Sequence, residues 1–442
     1  MYRKRAVFAV AVAAAMATVV AACSSGSSST PTAGSSGSGS GATATMWLVT
    51  TGPSPADDAE KALVSSFEQS HPGMKINLTL VENQSFKQKL QLAMGAGNPP
   101  TIFWTWGGGI LQQYIKANYV EPLDQSLGSP FLPASLGAVT YQGKLYGIPV
   151  QGTQPVYFFY NKPIFTKYHL TFPTTWSGLL STISTLKSHG VEPISLAAGD
   201  QWPSLMYLEY LTDRIGGPTV VQDLEANKAG AWSNPAIIQA LTDIQQLVKA
   251  GAFNQGYQSL KFSGGGSDAL VYSGKAAMQL MGDWDLSSTM GANKSFVTSG
   301  DMGMAPFPSV PGGTGNAADL AGNTASYVAI SSRATAAQKD VAKAFFKDSL
   351  ASQDYAKAQV SAGEVPVTTG ASGLFAGQDL ESYDTTIYSD VQKAPNFQYS
   401  WDQALTPAPA TALLTNLAQV FTLSMTPQGF ASAMNKVAAT GS

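Results

Sequence analysis

The fold is decided by a stretch near the start of the chain: MWLVT (residues 46–50), DDAEKALVSSFEQS (57–70), KINLTL (75–80), FKQKLQLAM (86–94) and TIFW (101–104). The first, third and last of these segments predict strands, because they are short and apolar or alternate between apolar and polar residues. The second and fourth carry apolar residues every three or four positions and predict helices. The order β-α-β-α-β predicts a parallel sheet with helices on its faces. Ligands bind such sheets beyond the carboxyl ends of the strands.

The globular body is predicted to span residues 46–442. Its length of nearly 400 residues exceeds what a single hydrophobic core supports, so two domains are expected. Further along the chain, residues 148–160 predict extended structure, 237–248 a helix, and 276–281 and 327–330 two more strands. The chain is therefore expected to be an α/β protein throughout, and it contains no internal repeat.

The N-terminus predicts export. Arg3, Lys4 and Arg5 precede an uncharged run of residues 6–22, the layout of a secretory signal peptide in residues 1–22. Val20-Ala21-Ala22-Cys23 is similar to a bacterial lipobox, in which signal peptidase cuts before a lipidated cysteine. Cys23 is the only cysteine in the sequence. The alternative is a plain signal peptide with an incidental cysteine.

Residues 24–45 contain only Ser, Gly, Thr, Ala and Pro. Such a segment buries too little surface to order itself, so residues 23–45 are expected to be a lipidated cysteine and a flexible linker. Its rms span of roughly 25 Å would hold the body just off a membrane surface. The expected location is the outer face of a bacterial cell membrane, through a lipid anchor.

Composition narrows the ligand class. Without Arg3, Lys4 and Arg5, the chain keeps 22 basic residues against 28 acidic ones, which argues against nucleic acid as a partner. Only Arg214 and Arg333 remain as arginines, and arginine is the usual partner of phosphate and carboxylate. Eight Trp, 17 Tyr and 19 Phe instead offer ring faces, which suit the C–H faces of a neutral sugar.

Several segments, in their order and spacing, resemble the extracellular solute-binding proteins of ABC sugar importers, the maltose-binding-protein-like class (family 1). The likeness covers nearly the whole body. The segments that carry it are FEQSHPG (67–73), GNPP (97–100), FW (103–104), YGIP (146–149), FYNK (159–162), GKAAM (274–278), GDW (282–284), WDQAL (401–405) and TP (426–427).

The resemblance implies a two-lobed periplasmic-binding-protein-like fold of type II, in which mainly parallel sheets flanked by helices are joined by hinge crossovers. It implies an N-terminal lobe of residues 46–152 plus 302–350 and a C-terminal lobe of residues 153–301 plus 351–442. It also implies a monomer that clamps a neutral oligosaccharide between the lobes, by a hinge motion, and delivers it to the permease of an ABC transporter. No cofactor is implied.

The resemblance also implies ligand-binding positions. Trp104, Trp202, Trp284 and Trp401 match aromatic positions of the family, and Trp106 lies beside Trp104 at the same strand end. Polar partners are expected near the cleft loops, at Gln84, Gln151, Asp200, Asp283, Asp285 and Glu364; their alternatives are caps, turns or solvated surface. The remaining tryptophans, Trp47, Trp176 and Trp232, are expected in the core.

One departure from the family pattern bears on the ligand. Maltose binders carry charged residues after the Phe-Trp pair, whereas this chain has Thr105-Trp106 followed by Gly107, Gly108 and Gly109. A ring and bare backbone replace charge, which argues against maltose. The Trp-Thr-Trp-Gly-Gly-Gly segment is similar to that of importers of xylo-oligosaccharides and other β-linked oligosaccharides.

Three other functions are alternatives. An exported glycoside-active enzyme would need two carboxylates facing a cleft, about 5–10 Å apart. No other catalytic or metal-binding motif is evident: His71, His169 and His189 are isolated, and Gly264-Gly265-Gly266 is not followed by a phosphate-loop Lys. A binding protein for a non-sugar solute, and a surface adhesin or sensor without a transporter, complete the set.

Overall fold

The computed structural model describes residues 42–440. Residues 1–41, which include the predicted signal peptide and Cys23, lie outside the described residues, as do 441–442. The described strands are β1 (Ala42–Thr50), β2 (Met74–Glu82), β3 (Ile102–Thr105), β4 (Thr140–Tyr141), β5 (Lys144–Leu145), β6 (Ile148–Gln151), β7 (Gln154–Asn161), β8 (Glu192–Ser195), β9 (Ala276–Gly282), β10 (Met302–Ala305), β11 (Leu320–Asn323), β12 (Ser326–Ile330) and β13 (Phe397–Tyr399).

The α-helices lie between and after these strands. They are α1 (Pro55–Ser70), α2 (Asn83–Gly95), α3 (Gly108–Lys116), α4 (Lys162–Lys167), α5 (Trp176–Ser188), α6 (Trp202–Gly216), α7 (Thr219–Glu225), α8 (Pro235–Ala250), α9 (Gly266–Tyr272), α10 (Trp284–Thr298), α11 (Ala336–Asp348), α12 (Gln353–Ser361), α13 (Glu381–Lys393), α14 (Trp401–Ala404), α15 (Pro407–Phe421) and α16 (Pro427–Thr440).

The first sheet has the strand order β2-β1-β3-β12-β6. β1 pairs in parallel with β2 and β3, as the β-α-β-α-β pattern predicts. Along β1, Ala44, Met46 and Leu48 are buried while Thr43 and Thr45 are exposed, so one strand face enters the core. This sheet and the helices around it enclose one hydrophobic core.

The second sheet has the order β13-β11-β7-β9-β8, with β10 also paired to β7. It carries a separate, larger core. Each sheet combines parallel and antiparallel pairs: β12 is antiparallel to β3, and β7 is antiparallel to β9. The expectation of mainly parallel sheets is therefore corrected to mixed sheets, because β7 and β12 enter their sheets directly from the other lobe without a helical crossover.

Three crossings connect the lobes. The first runs from β6 to β7, and the second from β11 to β12. The third lies after Thr369, whose amide still donates to the Pro130 carbonyl of the first lobe. Shortly before it, the backbone amide of Thr153 in the first crossing donates to the Val365 carbonyl. Gly152 permits this approach, because a Cβ there would lie 1.9 Å from the Val365 carbonyl oxygen.

The observed boundaries of the globular body and of its lobes differ from the predicted ones at three places. β1 begins at Ala42, inside the predicted linker 23–45. β10 and β11 pair in the second sheet, so the chain returns to the first lobe between Asn323 and Ser326 and not at residue 302. α12 belongs to the first lobe although it follows residue 351, since Tyr355 lies in that core and its hydroxyl donates to the Val150 carbonyl.

Candidate functional site

A cavity lies between the two lobes, beyond the carboxyl ends of β1 and β3 and at the start of α6 and α10. The space open to the centre of a water molecule is about 190 Å³, which is many times the roughly 10–15 Å³ that one water needs. Both polar and apolar side chains line it. The cavity therefore has room for a solute larger than water.

The tryptophans of the first-lobe wall are Trp104 and Trp106. They lie at the end of β3 with ring centroids 6.1 Å apart, edge to face. Trp104 is 3% exposed and belongs to the first core, whereas Trp106 is half-buried and has Phe86 at its edge, 5.8 Å away. Both rings border the cavity.

The tryptophans of the second-lobe wall are Trp202 and Trp284, whose ring centroids lie 5.8 Å apart, edge to face. Each is the first residue of its helix, α6 and α10, and each is half-buried. The ring of Trp284 lies directly on Gly282, where a Cβ would come within 2.0 Å of the ring. The absence of a side chain at Gly282 therefore leaves the room that the Trp284 ring occupies.

Several buried polar atoms on the lining residues have no hydrogen-bond partner among the described residues. Three are donors, the Nε1 atoms of the buried or half-buried indoles of Trp104, Trp202 and Trp284. Four are side-chain oxygens, on Asp200, Glu209, Asn323 and Gln403. Buried polar groups in folded proteins almost always have a hydrogen-bond partner. Because these atoms have none among the described residues, they are available to a solute that carries both donors and acceptors.

Four of the six predicted polar residues line the cavity: Gln84, Gln151, Asp200 and Glu364. Gln84 donates through Nε2 to the Asp200 carbonyl at 2.8 Å, which joins the lobes. The Asp200 carboxylate accepts from the backbone amide of Phe262 through Oδ2, which leaves Oδ1 for a ligand. Gln151 donates to Glu60 and accepts from Gln154, so its amide is already held.

The structure does not bring Trp401, Asp283 and Asp285 to the cavity lining. Trp401 is 1% exposed, its Nε1 donates to Gln398, and it packs against Trp232 in the second core. Asp283 and Asp285 flank Trp284 and are buried beneath it, with Asp285 accepting from Gln279 at 2.7 Å. Successive residues near a helix start point in different directions, so neighbours of a lining residue need not line the cavity.

Of the three tryptophans expected in the core, two lie in it and one lies at its edge. Trp176 and Trp232 are buried in the second core, and Trp47 packs partly buried against the first. Neither arginine of residues 42–440 lines the cavity. Arg214 is buried and bonded to Asp213 and to the carbonyls of Ala317 and Asp319, while Arg333 lies over Tyr119.

Several lining residues were not predicted. Met206 and Glu209 follow Trp202 at four and seven positions, so all three share one face of α6. Lys87 lies three positions after Gln84 on α2. Helical spacing from the predicted residues was therefore a signal that could have found them. Asn323 and Ser326 lie in the second crossing, which no local pattern reveals.

The ionisable side chains that line the cavity are mostly acidic. Five carry carboxyl groups, namely Asp57, Asp200, Glu209, Glu364 and Asp402, and the single basic one is Lys87. Burial raises the pKa of Glu209 to about 8 and that of Glu364 to about 8. Burial also raises the pKa of Asp200. At neutral pH, Glu209 and Glu364 are therefore mainly protonated and can donate as well as accept hydrogen bonds.

The lobes contact each other on both sides of the cavity. On one side, the Gly264 amide donates to the Thr51 carbonyl at 2.8 Å, and Ser263 Oγ donates to Glu82 at 2.9 Å. On the other, Lys87 Nζ donates to Asp402 Oδ2 at 2.9 Å. The described structure is thus a closed arrangement of the two lobes.

Residues 42–440 contain neither a metal-binding cluster nor a membrane-spanning helix. No group of three or more His, Cys, Asp or Glu side chains is arranged to hold a metal ion. No helix in this range has the length and hydropathy needed to span a bilayer.

A family model described as bacterial extracellular solute-binding protein matches residues 52–357. Because this match covers more than half of the chain, the protein belongs to that family. Its two-lobed fold and its interlobe cavity agree with a family of solute-binding proteins.

Curated relatives carry related names. An uncharacterized ABC transporter extracellular-binding protein of Pyrococcus horikoshii is 29% identical over 59% of this chain and 59% of its own length. The xylose/arabinose-binding protein XacG of Haloferax volcanii is 24% identical over 58% of this chain and 56% of its own length. The chain thus matches under two thirds of the length of these relatives.

Solved structures match along nearly the whole body. One, described in connection with xylan utilization by the thermophilic bacterium Caldanaerobius polysaccharolyticus, has a TM-score of 0.79 at 29% identity and covers 89% of this chain and 99% of its own. A chitin oligosaccharide binding protein has a TM-score of 0.80 at 25% identity and covers 90% and 98%. Maltose-bound MalE3 of T. maritima, at 16% identity and a TM-score of 0.73, shares the fold over 90% of this chain and 100% of its own.

Proposed function

We propose that this protein binds a neutral oligosaccharide in the interlobe cavity and delivers it to the permease of an ABC importer. The observation that carries the proposal is the pairing of ring faces with free polar atoms in one enclosed space. Trp106, Trp202 and Trp284 border the cavity, and unpartnered indole N–H groups and side-chain oxygens lie beside them. Sugars present hydroxyls that both donate and accept, beside apolar C–H faces, so they satisfy both features.

The lining also supports a neutral ligand over an anionic one. The one lining cation, Lys87, is already paired with Asp402, and the arginines of the described residues are engaged elsewhere. An anionic solute would meet five carboxyl groups with no free cation to balance its charge. The names of relatives, which include glucose-binding and xylose/arabinose-binding proteins, favour sugar as well.

Within the sugars, we propose a xylo-oligosaccharide or another β-linked oligosaccharide. Tryptophans on both lobes can cover both faces of a flat chain. Two structural relatives, at 29% and 25% identity, are described with xylan utilization and chitin oligosaccharide binding. The proposed ligand-binding residues are Trp104, Trp106, Gln84, Gln151, Asp200, Trp202, Glu209, Trp284, Asn323 and Glu364.

The binding test is isothermal calorimetry on the chain carrying Cys23→Ser. The panel contains xylo-, chito-, cello- and malto-oligosaccharides of two to five units, with a neutral dipeptide and a polyol as non-sugar solutes. We expect saturable one-to-one binding of a β-linked series. Binding of the dipeptide or polyol alone would contradict the sugar assignment, and a preference for malto-oligosaccharides would contradict the β-linked one.

One observation bears on the enzyme alternative. Glu209 and Asp402 both accept from Ser400 Oγ, at 2.9 and 3.2 Å, so their carboxyl groups are close enough to resemble a glycosidase pair. However, Asp402 is also held by Lys87 and Gln403 at its other oxygen, which leaves little freedom for attack on a sugar. Incubating the protein with the panel and analysing the products by chromatography decides the matter: shortened oligosaccharides would favour an enzyme.

We further propose that the protein is a monomer held at the outer face of the cell membrane by a multiply acylated Cys23, because one acyl chain anchors only marginally. Replacing Cys23 with Ser should release the protein into the medium and leave sugar binding unchanged. Retention of the variant at the membrane would contradict the anchor. Loss of uptake of the bound sugar on deletion of the partner permease would distinguish an importer component from an adhesin or sensor.

A further inference from the structure

Lys87 forms an ion pair that joins the two lobes at the cavity. It lies on α2 of the first lobe, and its ammonium donates to Asp402 on α14 of the second lobe at 2.9 Å. The side chain of Lys87 is 38% exposed, whereas that of Asp402 is 5% exposed. The ion pair therefore crosses the cleft and places a nearly buried carboxylate against a partly solvated cation.

Apart from Lys87, the side chains that donate to Asp402 carry no charge. Asp402 accepts from Gln403 and Ser400, which are neutral. Glu209 lies beside it, and its Oε1 accepts from Ser400 Oγ and from the backbone amide of Trp401. Two neighbouring carboxyl groups are thus buried together, and among the described residues the one cation that pairs with either of them is Lys87, through Asp402. Separating the lobes removes that cation and leaves Asp402 with neutral partners only.

Lys87 is also held on its own lobe. Its Nζ lies 5.0 Å from the centroid of the Trp106 ring, within the range of a cation–π interaction. The ammonium therefore lies near both the first-lobe ring and the second-lobe carboxylate. Lys89, two positions further along α2, is exposed and forms no ion pair within residues 42–440.

We propose that Lys87 and Asp402 form an interlobe clasp, an ion pair that holds the two lobes together in the ligand-free protein. An ion pair that exists only in the closed state favours that state by its own interaction free energy. Its exposure lies between that of surface pairs and fully buried pairs, so loss of the clasp should lower the closed-to-open ratio by about tenfold. The clasp concerns lobe closure and is independent of which solute binds.

The test measures the interlobe distance without any ligand. Cys23 is the only cysteine in the sequence, so the full chain with Cys23→Ser accepts two new cysteines for spin labels without interference. Gln113 on α3 and Thr415 on α15 are exposed and lie on different lobes. Double electron–electron resonance between these labels reports the closed and open populations.

We expect Lys87→Met and Asp402→Asn each to shift the population toward the longer distance by about tenfold, and the double variant to shift it no further. Lys89→Met removes the same charge from the same helix and should leave the distribution unchanged. Raising the salt from about 0.05 to about 1 M should shift the parent toward the open state and leave Lys87→Met unaffected, because salt screens the pair.

Asp402→Asn keeps the shape of the side chain, so it decides the question if Lys87→Met fails to fold in a thermal melt. Unchanged distances in Asp402→Asn would overturn the proposal. It would also be overturned by a parent protein that shows only the longer distance, or by Lys89→Met with the same shift as Lys87→Met. Since no sugar is used, these outcomes are separate from a failure of the proposed function.

Discussion

Gly109→Ala should hinder closure of the cleft without harming the fold of either lobe. Gly109 lies in the first turn of α3, on the first lobe, against the end of α14 on the second. An added Cβ would lie 2.5 Å from the Leu405 carbonyl oxygen and 2.7 Å from that of Ala404. Ordinary van der Waals contact begins at 3.4 Å. The two helices must therefore separate by about 1 Å to accommodate one methyl group.

The backbone does not oppose this substitution. Gly109 is not among the glycines with positive φ, and alanine favours a helix over glycine by about 1 kcal/mol. The penalty falls on the contact between lobes, where overpacking costs about 1–3 kcal/mol. We expect the closed state, and with it the affinity for any ligand clamped between the lobes, to weaken by roughly 5- to 150-fold.

The assay combines calorimetry with small-angle scattering, which detects the larger radius of an open molecule. Gly137→Ala is the matched control, because Gly137 is also on the first lobe, has no atom within 4 Å of its added Cβ and has no positive φ. An unchanged melting temperature would show that the lobes themselves are intact. The account of closure would be refuted if Gly109→Ala bound as tightly as Gly137→Ala with the same scattering radius.

Three further predictions concern the cavity. Trp284→Ala should lose on the order of 2–4 kcal/mol of binding by calorimetry, as buried interface aromatics do, while Trp47→Ala, away from the cavity, should bind normally; equal affinities would contradict the role of Trp284. Glu364→Gln should flatten the pH dependence of stability. Burial raises the pKa of Glu364 to about 8 in the folded state, against about 4.5 in the unfolded state. The stability that its neutral carboxyl group contributes is therefore fully present below the unfolded pKa and is lost as the pH rises through 8. The prediction would be contradicted if the melting temperatures of parent and variant changed with pH in the same way between about pH 5 and pH 9. Burial raises the pKa of Glu209 to about 8. The affinity of the parent protein for its ligand should therefore change as the pH passes through that value, whereas the affinity of Glu209→Gln, measured by calorimetry, should not.

Much of the fold could be predicted because local patterns decide it. The helix predicted at 57–70 is α1, and the strand predicted at 276–281 is β9. The lobe boundaries could not be placed as well. A strand that crosses between lobes has the same apolar pattern as one that stays, so sequence alone does not show that β10 and β11 pair with β7.

The candidate site was predictable to the extent that it lies at strand ends and helix starts. Trp104, Trp202 and Trp284, which the resemblance implies as ligand-binding positions, border the cavity. Trp401 does not, because one residue of offset turns a side chain from the cavity into the core, and its neighbours Ser400 and Asp402 line the cavity instead. Contacts across the cleft, such as that of Lys87, depend on lobe closure and leave no mark in a local pattern.

The central claim is that the interlobe cavity binds a neutral, β-linked oligosaccharide on its tryptophan walls. Its most direct test is a calorimetric titration of the Cys23→Ser protein with xylo- and chito-oligosaccharides, repeated with Trp284→Ala. We expect saturable binding with one site per chain, greatly weakened in the variant. No heat of binding with any neutral oligosaccharide, or equal affinity in the two proteins, would contradict it.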